Sequence, residues 1–480
     1  METLGQYFSM TWVYWTLGIV YILTVLLIIG IILSENRNPV KSLAWVTVLL
    51  LLPVIGPVFY LFFGRNLKNK RMVSRKNKRK LRKREPMPRV DIGTLPLSRE
   101  SVQQIRLAHK LTGSIYYPGN RVEIFTSGHE KFEALLQDIA SARDYIHMEY
   151  YIFEDDETGH RLRDALMERA KAGVKVRVIY DHIGSIHVKK RFFQEMRDAG
   201  IMVYPFFRVT FPQFATRINW RNHRKICVID GEAGYIGGMN IADRYIKGLP
   251  QGIWRDTHIR ITGPAIGALQ YAFAYDWNFM GQPVLDERVP QTLCAPDEEA
   301  GMQLMTSGPM NQWSNIAFLL FKAIANAKRL IYIQTPYFLP TDSLLKALQA
   351  AALSNVDVRI MIPSRSDSAI LRYASFSYIS ECLKAGIKIY LYEAGMLHSK
   401  ILVVDDEFCT VGSTNFDFRS FEHNFECNMF IYSTEVNAHM REIFMDDLRE
   451  CTRVNAAQWR RRSLGQKTKE SIVRLMSPVL

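Results

Sequence analysis

The sequence predicts a duplicated α/β domain carried behind an N-terminal two-helix transmembrane hairpin. Three observations predict it. Two long uncharged runs lie near the N-terminus, a strand–helix alternation returns at offsets of 175–185 residues, and a short histidine–lysine motif occurs once in each copy. A chain of 480 residues is long enough for this arrangement and for a sizeable core. Its 48% apolar content excludes global disorder.

The hairpin comes first. Thr11–Leu33 is a run of 23 residues without a charge, enough for a spanning helix, and after the polar turn Ser34–Lys41 a second uncharged run extends from Ser42 to Phe63. Pro53 and Pro57 would break a soluble helix but are tolerated in a membrane. Trp12, Tyr14 and Trp15 at one end, and Tyr60 and Phe62 at the other, suit interfacial belts. A cleaved signal peptide fits poorly, because no basic segment precedes the first run and a second run follows at once. The hairpin is thus expected within residues 1–64, with spans at about 11–33 and 42–63.

Basic residues outnumber acidic ones 61 to 47, and the excess is local. Arg65–Arg89 holds 13 Lys/Arg against the single acid Glu85, so the remaining chain is nearly neutral. That excludes a general nucleic-acid coat protein. Residues 65–107 read as a basic juxtamembrane linker whose charges stay on the cytoplasmic side, taking the rest of the chain with them. The same charges attract anionic lipid headgroups, at about 1 kcal/mol per basic residue near the surface. The six cysteines (Cys227, Cys294, Cys382, Cys409, Cys427 and Cys451) form no Cys-x-x-Cys pair and read as reduced thiols.

From about residue 108 strands alternate with helices. Val122–Phe125 and Tyr145–Phe153 read as strands around an amphipathic helix, Glu130–Ser141; a helix follows over Thr158–Ala172, then a strand at Val174–Val178 and a turn at Asp181–Gly184. The order then repeats. Thr126-Ser127-Gly128 returns as Thr306-Ser307-Gly308, Ile146–Phe153 as Ile331–Phe338, and Val174–Arg177 as Val356–Arg359. Repeats of solenoids are far shorter, so this is a duplicated domain, 108–290 and 300–480, joined through Asp286–Glu299.

The repeat carries the chemistry. Asn222-His223-Arg224-Lys225, Asp230 and Gly237-Gly238-Met239-Asn240 in the first half correspond to His398-Ser399-Lys400, Asp405 and Gly412-Ser413-Thr414-Asn415 in the second. Both fit His-x-Lys-x4-Asp followed by Gly-Gly/Ser-x-Asn. The apolar stretches Lys225–Asp230 and Lys400–Asp405 read as strands. Residues two apart share a face, which pairs His223 with Lys225 and His398 with Lys400. Asp230 and Asp405 have the opposite parity and are expected to support the site structurally. Asp256 and Glu426, at matching places downstream, are the better carboxylates to fix an imidazole tautomer.

These motifs resemble the phospholipase D superfamily, in which both copies meet in one active site. The resemblance is closest to bacterial cardiolipin synthases, through Asn222–Ile226, Trp254–His258, Val411–Ser420, the hairpin and Arg474–Leu480. It covers essentially the whole chain and implies a mixed sheet flanked by helices in each repeat. It also implies that one neutral histidine attacks phosphorus to form a phosphohistidine while the other protonates the leaving alcohol. Its catalytic set comprises His223, Lys225, Asp230, His398, Lys400 and Asp405, with Asn240, Asn415, Asp256 and Glu426 binding phosphate or supporting the site. By analogy His223 is the nucleophile and His398 the acid/base, although the halves are nearly symmetric. Lys225, Lys400, Asn240 and Asn415 would hold the phosphoryl oxygens, and neither metal nor cofactor is expected. Asp155-Asp156-Glu157 reads as the acidic first turn of a helix.

The implied reaction joins two phosphatidylglycerols into cardiolipin and releases glycerol. The rivals are a hydrolytic phospholipase D, with water as acceptor, and a nucleic-acid phosphodiesterase, which would need a basic groove. His109, His258 and His423 receive no role. His147–Tyr151 and Gln334–Phe338 read as strand ends at the mouth of the site, open to substrate contact or core packing. The same choice stands for Tyr204–Phe207 with Phe211, as acyl groove or aromatic core. Trp459–Leu480 is basic and ends apolar, and fits either a membrane-surface helix or a terminal helix docked on the domain.

Overall fold

The computed structural model describes residues 2–34, 39–52, 55–60, 72–85, 91–209, 219–250, 252–287 and 300–477. The chain divides into two units, 1–67 with 209–219, and 68–208 with 220–480.

In the first unit the helix Glu2–Ser34 contains Trp12–Leu33, the one helix among the described residues long and apolar enough to cross a membrane. Trp12, Tyr14 and Trp15 are exposed on it, as an interfacial belt requires. The second apolar run does not form one continuous helix. It begins within the helix Pro39–Leu51, which ends two residues before Pro53, and continues as the short helix Ile55–Phe59. Thirteen residues of helix reach about 20 Å of the ~30 Å hydrocarbon core, and the run goes on past the bend, where the Gly56 N–H donates to the Leu52 carbonyl at 2.7 Å. Val25, Ile28 and Ile32 pack on Leu49 and Tyr60, and the Tyr21 hydroxyl donates to the Leu49 carbonyl at 3.0 Å. Tyr60 is buried, edge-on to Trp45. Phe62 lies outside the described residues.

In the second unit fifteen described strands form one sheet. Its first half runs Tyr116–Phe125, His258–Thr262, Ala233–Gly237, Lys225–Ile229, Tyr145–Tyr150, Lys175–Asp181, Met202–Phe206. The second runs Ala300–Ser307, Glu426–Tyr432, Phe408–Gly412, Ile401–Val404, Leu330–Gln334, Asp357–Pro363, Lys388–Tyr392, and Cys451–Arg453 adds an edge. The order is the same, and so is the direction. In each half the last three strands of the shared order are parallel, because helical crossovers join them, and the others are antiparallel. The halves meet where Tyr116 and Tyr117 pair antiparallel with Gln303 and Met302. This is the α/β fold that the alternation of strands and helices predicts, with the mixed sheet that the resemblance implies.

Helices cover both faces. One buried cluster packs the first-half strands against Gly128–Ser141, Glu157–Lys171 and Lys190–Asp198; another packs the second-half strands against Asn315–Asn326, Asp342–Leu353 and Ala369–Lys384. A third contains residues of both halves, with Ile266–Phe279 and Thr434–Asp447 against Ile226, Val228, Ile401 and Val403. Of the stretch expected as a linker, Arg75–Arg82 is a helix capped by Ser74, and Glu85 is buried, taking bonds from Arg82 at 2.5 Å and the Tyr117 hydroxyl at 3.0 Å. Arg99–Thr112 adds Ile105 and Ala108 to the second-half core. Residues 288–299 of the joining segment, and Cys294 with them, lie outside the described residues.

Candidate active site

Each motif histidine sits just before a strand, and the extended stretch that carries it is paired with the opposite half. Gly395–Leu397 runs parallel to Ile253–Arg255, so the His398 N–H donates to the Arg255 carbonyl at 2.7 Å. The residue after Arg255 is Asp256. In the same way Asn222 bridges Phe425, the His223 N–H donates to the Phe425 carbonyl at 2.9 Å, and the residue after Phe425 is Glu426. The carboxylates are thereby crossed. Nδ1 of His223 lies 3.0 Å from both oxygens of Glu426, and Nδ1 of His398 lies 2.6 Å from Oδ2 of Asp256. An Nδ1–H donated to each carboxylate puts the lone pair on Nε2, and that of His398 has Lys400 Nζ 3.3 Å away.

The two motifs share one electrostatic environment. Lys225 is fully buried, donates to the His223 carbonyl at 2.5 Å and lies over the Tyr151 ring. Lys400 Nζ lies 2.8 and 3.3 Å from the ring nitrogens of His398 and 4.0 Å from Asp256. Burial, with the positive charges of Lys225 and Lys400, lowers His223 to about 4 against the pull of Glu426. Burial and then Lys400 bring His398 to about 4 as well. Both imidazoles are therefore neutral near pH 7. Burial also lowers Lys225 to about 7 and Lys400 to about 8, with Glu426 and Asp256 opposing it. For Glu426 and Asp256 burial works against ionisation, but the histidines and lysines outweigh it and hold both below the usual carboxylate range.

Several supporting residues were not legible as such in the sequence. Ser413 donates to Glu426 and Asn424 donates to it at 3.1 Å. Across the pseudo-symmetry Gly238 takes the place of Ser413, and a Cβ there would fall 2.0 Å from Oδ1 of Asp256. The Asp256 oxygens instead accept the Thr257 N–H at 2.7 Å. Arg255 forks onto Asp447 at 3.0 and 2.8 Å, which anchors the segment bearing Asp256. Beneath His223, Arg224 pairs with buried Asp276, and Asn222 donates to buried Glu149 at 2.5 Å. Burial, and then the neighbouring Asp276, push Glu149 well up. The Asn424-x-Glu426 alternation, which puts both on one strand face, was the available signal.

Aromatic rings wall the histidines. Tyr151 stands edge-on to His223 at 4.9 Å; Trp254, Tyr245 and Tyr337 lie 5.1, 6.3 and 6.4 Å from His398. The strand ends Tyr151 and Tyr337 thus face the site, whereas His147 is held away from it by Gln270 and Arg177. Phe206 and Phe207 pack on Phe425; Phe211 lies outside the described residues.

The remaining motif residues are placed differently. Asn240 accepts the Ile152 N–H at 3.2 Å and donates to the Tyr245 hydroxyl at 2.6 Å, while Asn415 bonds the Asp417 carboxyl. Asp230 and Asp405 stand at the far ends of their strands, about 20 Å of extended chain from the histidines. Asp230 accepts the N–H groups of Arg143, Asp144 and Tyr145; Asp405 accepts those of Lys328, Arg329 and Leu330. Both adopt positive φ, 52° and 50°, which Asp tolerates in tight turns. Counted with the catalytic set of the resemblance, they are not at the imidazoles. Asp230→Ala is expected to cost about 1–3 kcal/mol of stability, read as a lowered unfolding midpoint, with KM unchanged. Asp156 caps the helix Glu157–Lys171 and Asp155 pairs with His160 at 2.6 Å, as an acidic first turn does.

Two histidines, each held by the opposite half's carboxylate and flanked by a buried lysine, on a duplicated mixed sheet, define a phospholipase D-like enzyme. Residues 135–254 and 320–448 match the family model described as cardiolipin synthase, PLD-like domain, and 22–65 match the phospholipase D-nuclease N-terminal model. The chain is 41% identical over 475 residues to the major cardiolipin synthase ClsA of Bacillus subtilis (strain 168), covering 97% of this chain and 98% of that protein. It is 40% identical over 470 residues to a cardiolipin synthase of Geobacillus sp. (strain WCH70), covering 97% and 94%. The crystal structure of a phosphatidylserine synthase from Haemophilus influenzae Rd KW20 shares the fold, with a TM-score of 0.58 at 13% identity over 78% of this chain and 98% of that one. The chain belongs to the cardiolipin synthase family and is a phosphatidyltransferase.

Proposed function

We propose that the enzyme transfers a phosphatidyl group from one phosphatidylglycerol to the hydroxyl of another, giving cardiolipin and glycerol. The crossed histidine–carboxylate pairs carry this reading. Nε2 of neutral His223 attacks phosphorus, and His398 gives a proton to the departing glycerol oxygen. The phosphohistidine is then attacked by the hydroxyl of a second phosphatidylglycerol, whose proton returns to His398. A phosphodiester anion entering beside His398 raises its proton affinity, which the acid role requires. Lys225 and Lys400, with Asn240 and Asn415, stabilise the phosphoryl oxygens as charge develops; Asp256 and Glu426 orient the rings, and Asp230 and Asp405 hold the strand ends.

The same reading gives a two-span hairpin within residues 1–64, a basic linker over 65–107, repeats at 108–290 and 300–480, and catalytic repeats on the cytoplasmic side. The thirteen basic residues of Arg65–Arg89 support that orientation. The near-neutral charge of the rest of the chain speaks for lipid and against nucleic acid as substrate. Detergent-purified enzyme given phosphatidylglycerol vesicles in EDTA is expected to yield cardiolipin and glycerol; phosphatidic acid as the main product would mean water is the acceptor.

The pH dependence has a definite sign. With a nitrophenyl leaving group, which departs without a proton, kcat/KM reports His223 and the lysines. Lowered His223 keeps its lone pair far below pH 6.5, so the rate holds on acidification until about 4 and is lost below. It falls again as Lys225, at about 7, and Lys400, at about 8, lose their charge. A rate already halved at pH 6.5 would contradict this.

A further inference from the structure

The C-terminal helix Leu464–Leu475 is amphipathic the wrong way round for a helix on a water-facing surface. Its inward side is largely polar, with Val473 as an apolar contact to the second-half core. Glu470 is 3% exposed and is held by Arg462 at 2.8 Å and Gln466 at 3.0 Å, and Arg474 reaches Glu381 at 2.5 Å and lies over the Tyr378 ring. Its outward side is apolar: Leu464 and Leu475 are each 83% exposed, Ile472 58%, and Met476 just beyond it 45%. At about 100° per residue, Leu464, Thr468, Ile472 and Leu475 fall within an arc of about 80°. Lys467 and Lys469, both exposed, flank that arc at about 60° on either side.

We propose that this face is a second membrane contact, seated in the headgroup layer of an anionic lipid surface. Charge selects the occupant. Residues 452–477 contain seven Lys/Arg and a single acid, Glu470, which Arg462 neutralises. An apolar stripe bordered by lysines on both sides lets leucines enter the acyl boundary while the ammonium groups stay among the phosphates. A cavity of about 320 Å³ adjoins the helix N-terminus, with Arg372 and Lys469 among its walls. The N-terminal helix keeps the chain at a bilayer, so the stripe meets its partner at high effective concentration. The proposal rests on the membrane reading of that helix and not on the catalytic assignment.

The test uses the full chain in vesicles of phosphatidylcholine with and without phosphatidylglycerol, with the unmutated protein as labelling blank. A spin label at Thr468→Cys is expected to collide with oxygen more often than with a water-soluble nickel chelate, and more so when phosphatidylglycerol is present. A label at Leu23→Cys in the N-terminal helix reports insertion separately. In the Leu464→Glu, Leu475→Glu background the Thr468→Cys label is expected to turn aqueous while Leu23→Cys stays buried. An aqueous Thr468→Cys label in every vesicle beside a buried Leu23→Cys label would overturn the proposal, including the case in which another protein covers the stripe. Both labels aqueous would overturn the anchor as well.

Discussion

Replacing His223 or His398 by Asn is expected to lower cardiolipin formation by at least ~10³-fold, about 4 kcal/mol of transition-state stabilisation, while expression and membrane insertion persist. Asn can hold a hydrogen bond to Glu426 or Asp256 but offers neither a nucleophilic lone pair at Nε2 nor an exchangeable acid. The two variants should fail at different steps. His398→Asn lacks the acid, so a nitrophenyl donor, whose leaving group needs no proton, is expected to restore formation of a phosphoenzyme. His223→Asn lacks the nucleophile and should form none with any donor. Trapping the acid-labile phosphoenzyme separates the outcomes, and the reverse pattern would exchange the roles of the two histidines. If either variant kept most of its activity, the two-histidine mechanism would be wrong.

The carboxylate variants come next in size. Glu426→Gln and Asp256→Asn are each expected to cost ~10²–10⁴-fold, because a neutral amide neither fixes the tautomer nor supports a cationic ring. Since the hydrogen bonds cross between halves, so should the phenotypes. Glu426→Gln, in the second half, should behave like His223→Asn and fail to form the phosphoenzyme. Asp256→Asn, in the first half, should behave like His398→Asn and be largely rescued by the nitrophenyl donor. Glu426→Gln also removes the main group sustaining the Lys225 charge, so the alkaline limb of its residual activity should move to lower pH. Phenotypes that sort by sequence half would refute the crossed assignment.

Much of this site was legible in the chain. His223 with Lys225 and His398 with Lys400 are local patterns, and their recurrence at one place in a repeat separates them from isolated residues such as His147 and His258. Those two are fully buried but lie outside the paired motifs. Strand parity separated Asp230 and Asp405 from the imidazoles, because a side-chain period of two is a property of any extended backbone. The second apolar run was harder. Its composition suits a span, yet the described helix stops at Leu51 and Tyr60 turns inward onto Trp45, a packing choice that hydropathy does not encode. The C-terminal helix likewise left two readings open, which its docking through Glu470 and Arg474 combines: one face on the protein, the other turned outward.

The sequence by itself determined the duplication, the α/β alternation, the residue types of the site and the family, because repeats, periodicities and motif spacings are local features. Only the tertiary structure decided which carboxylate serves which histidine. His223 and Glu426 lie 203 residues apart and His398 and Asp256 lie 142 apart. What joins them is backbone pairing between the two halves, Asn222 with Phe425 and Gly395–Leu397 with Ile253–Arg255. Such hydrogen bonds are made by main-chain groups that every residue carries, so their partners leave no mark in the sequence until the chain has folded.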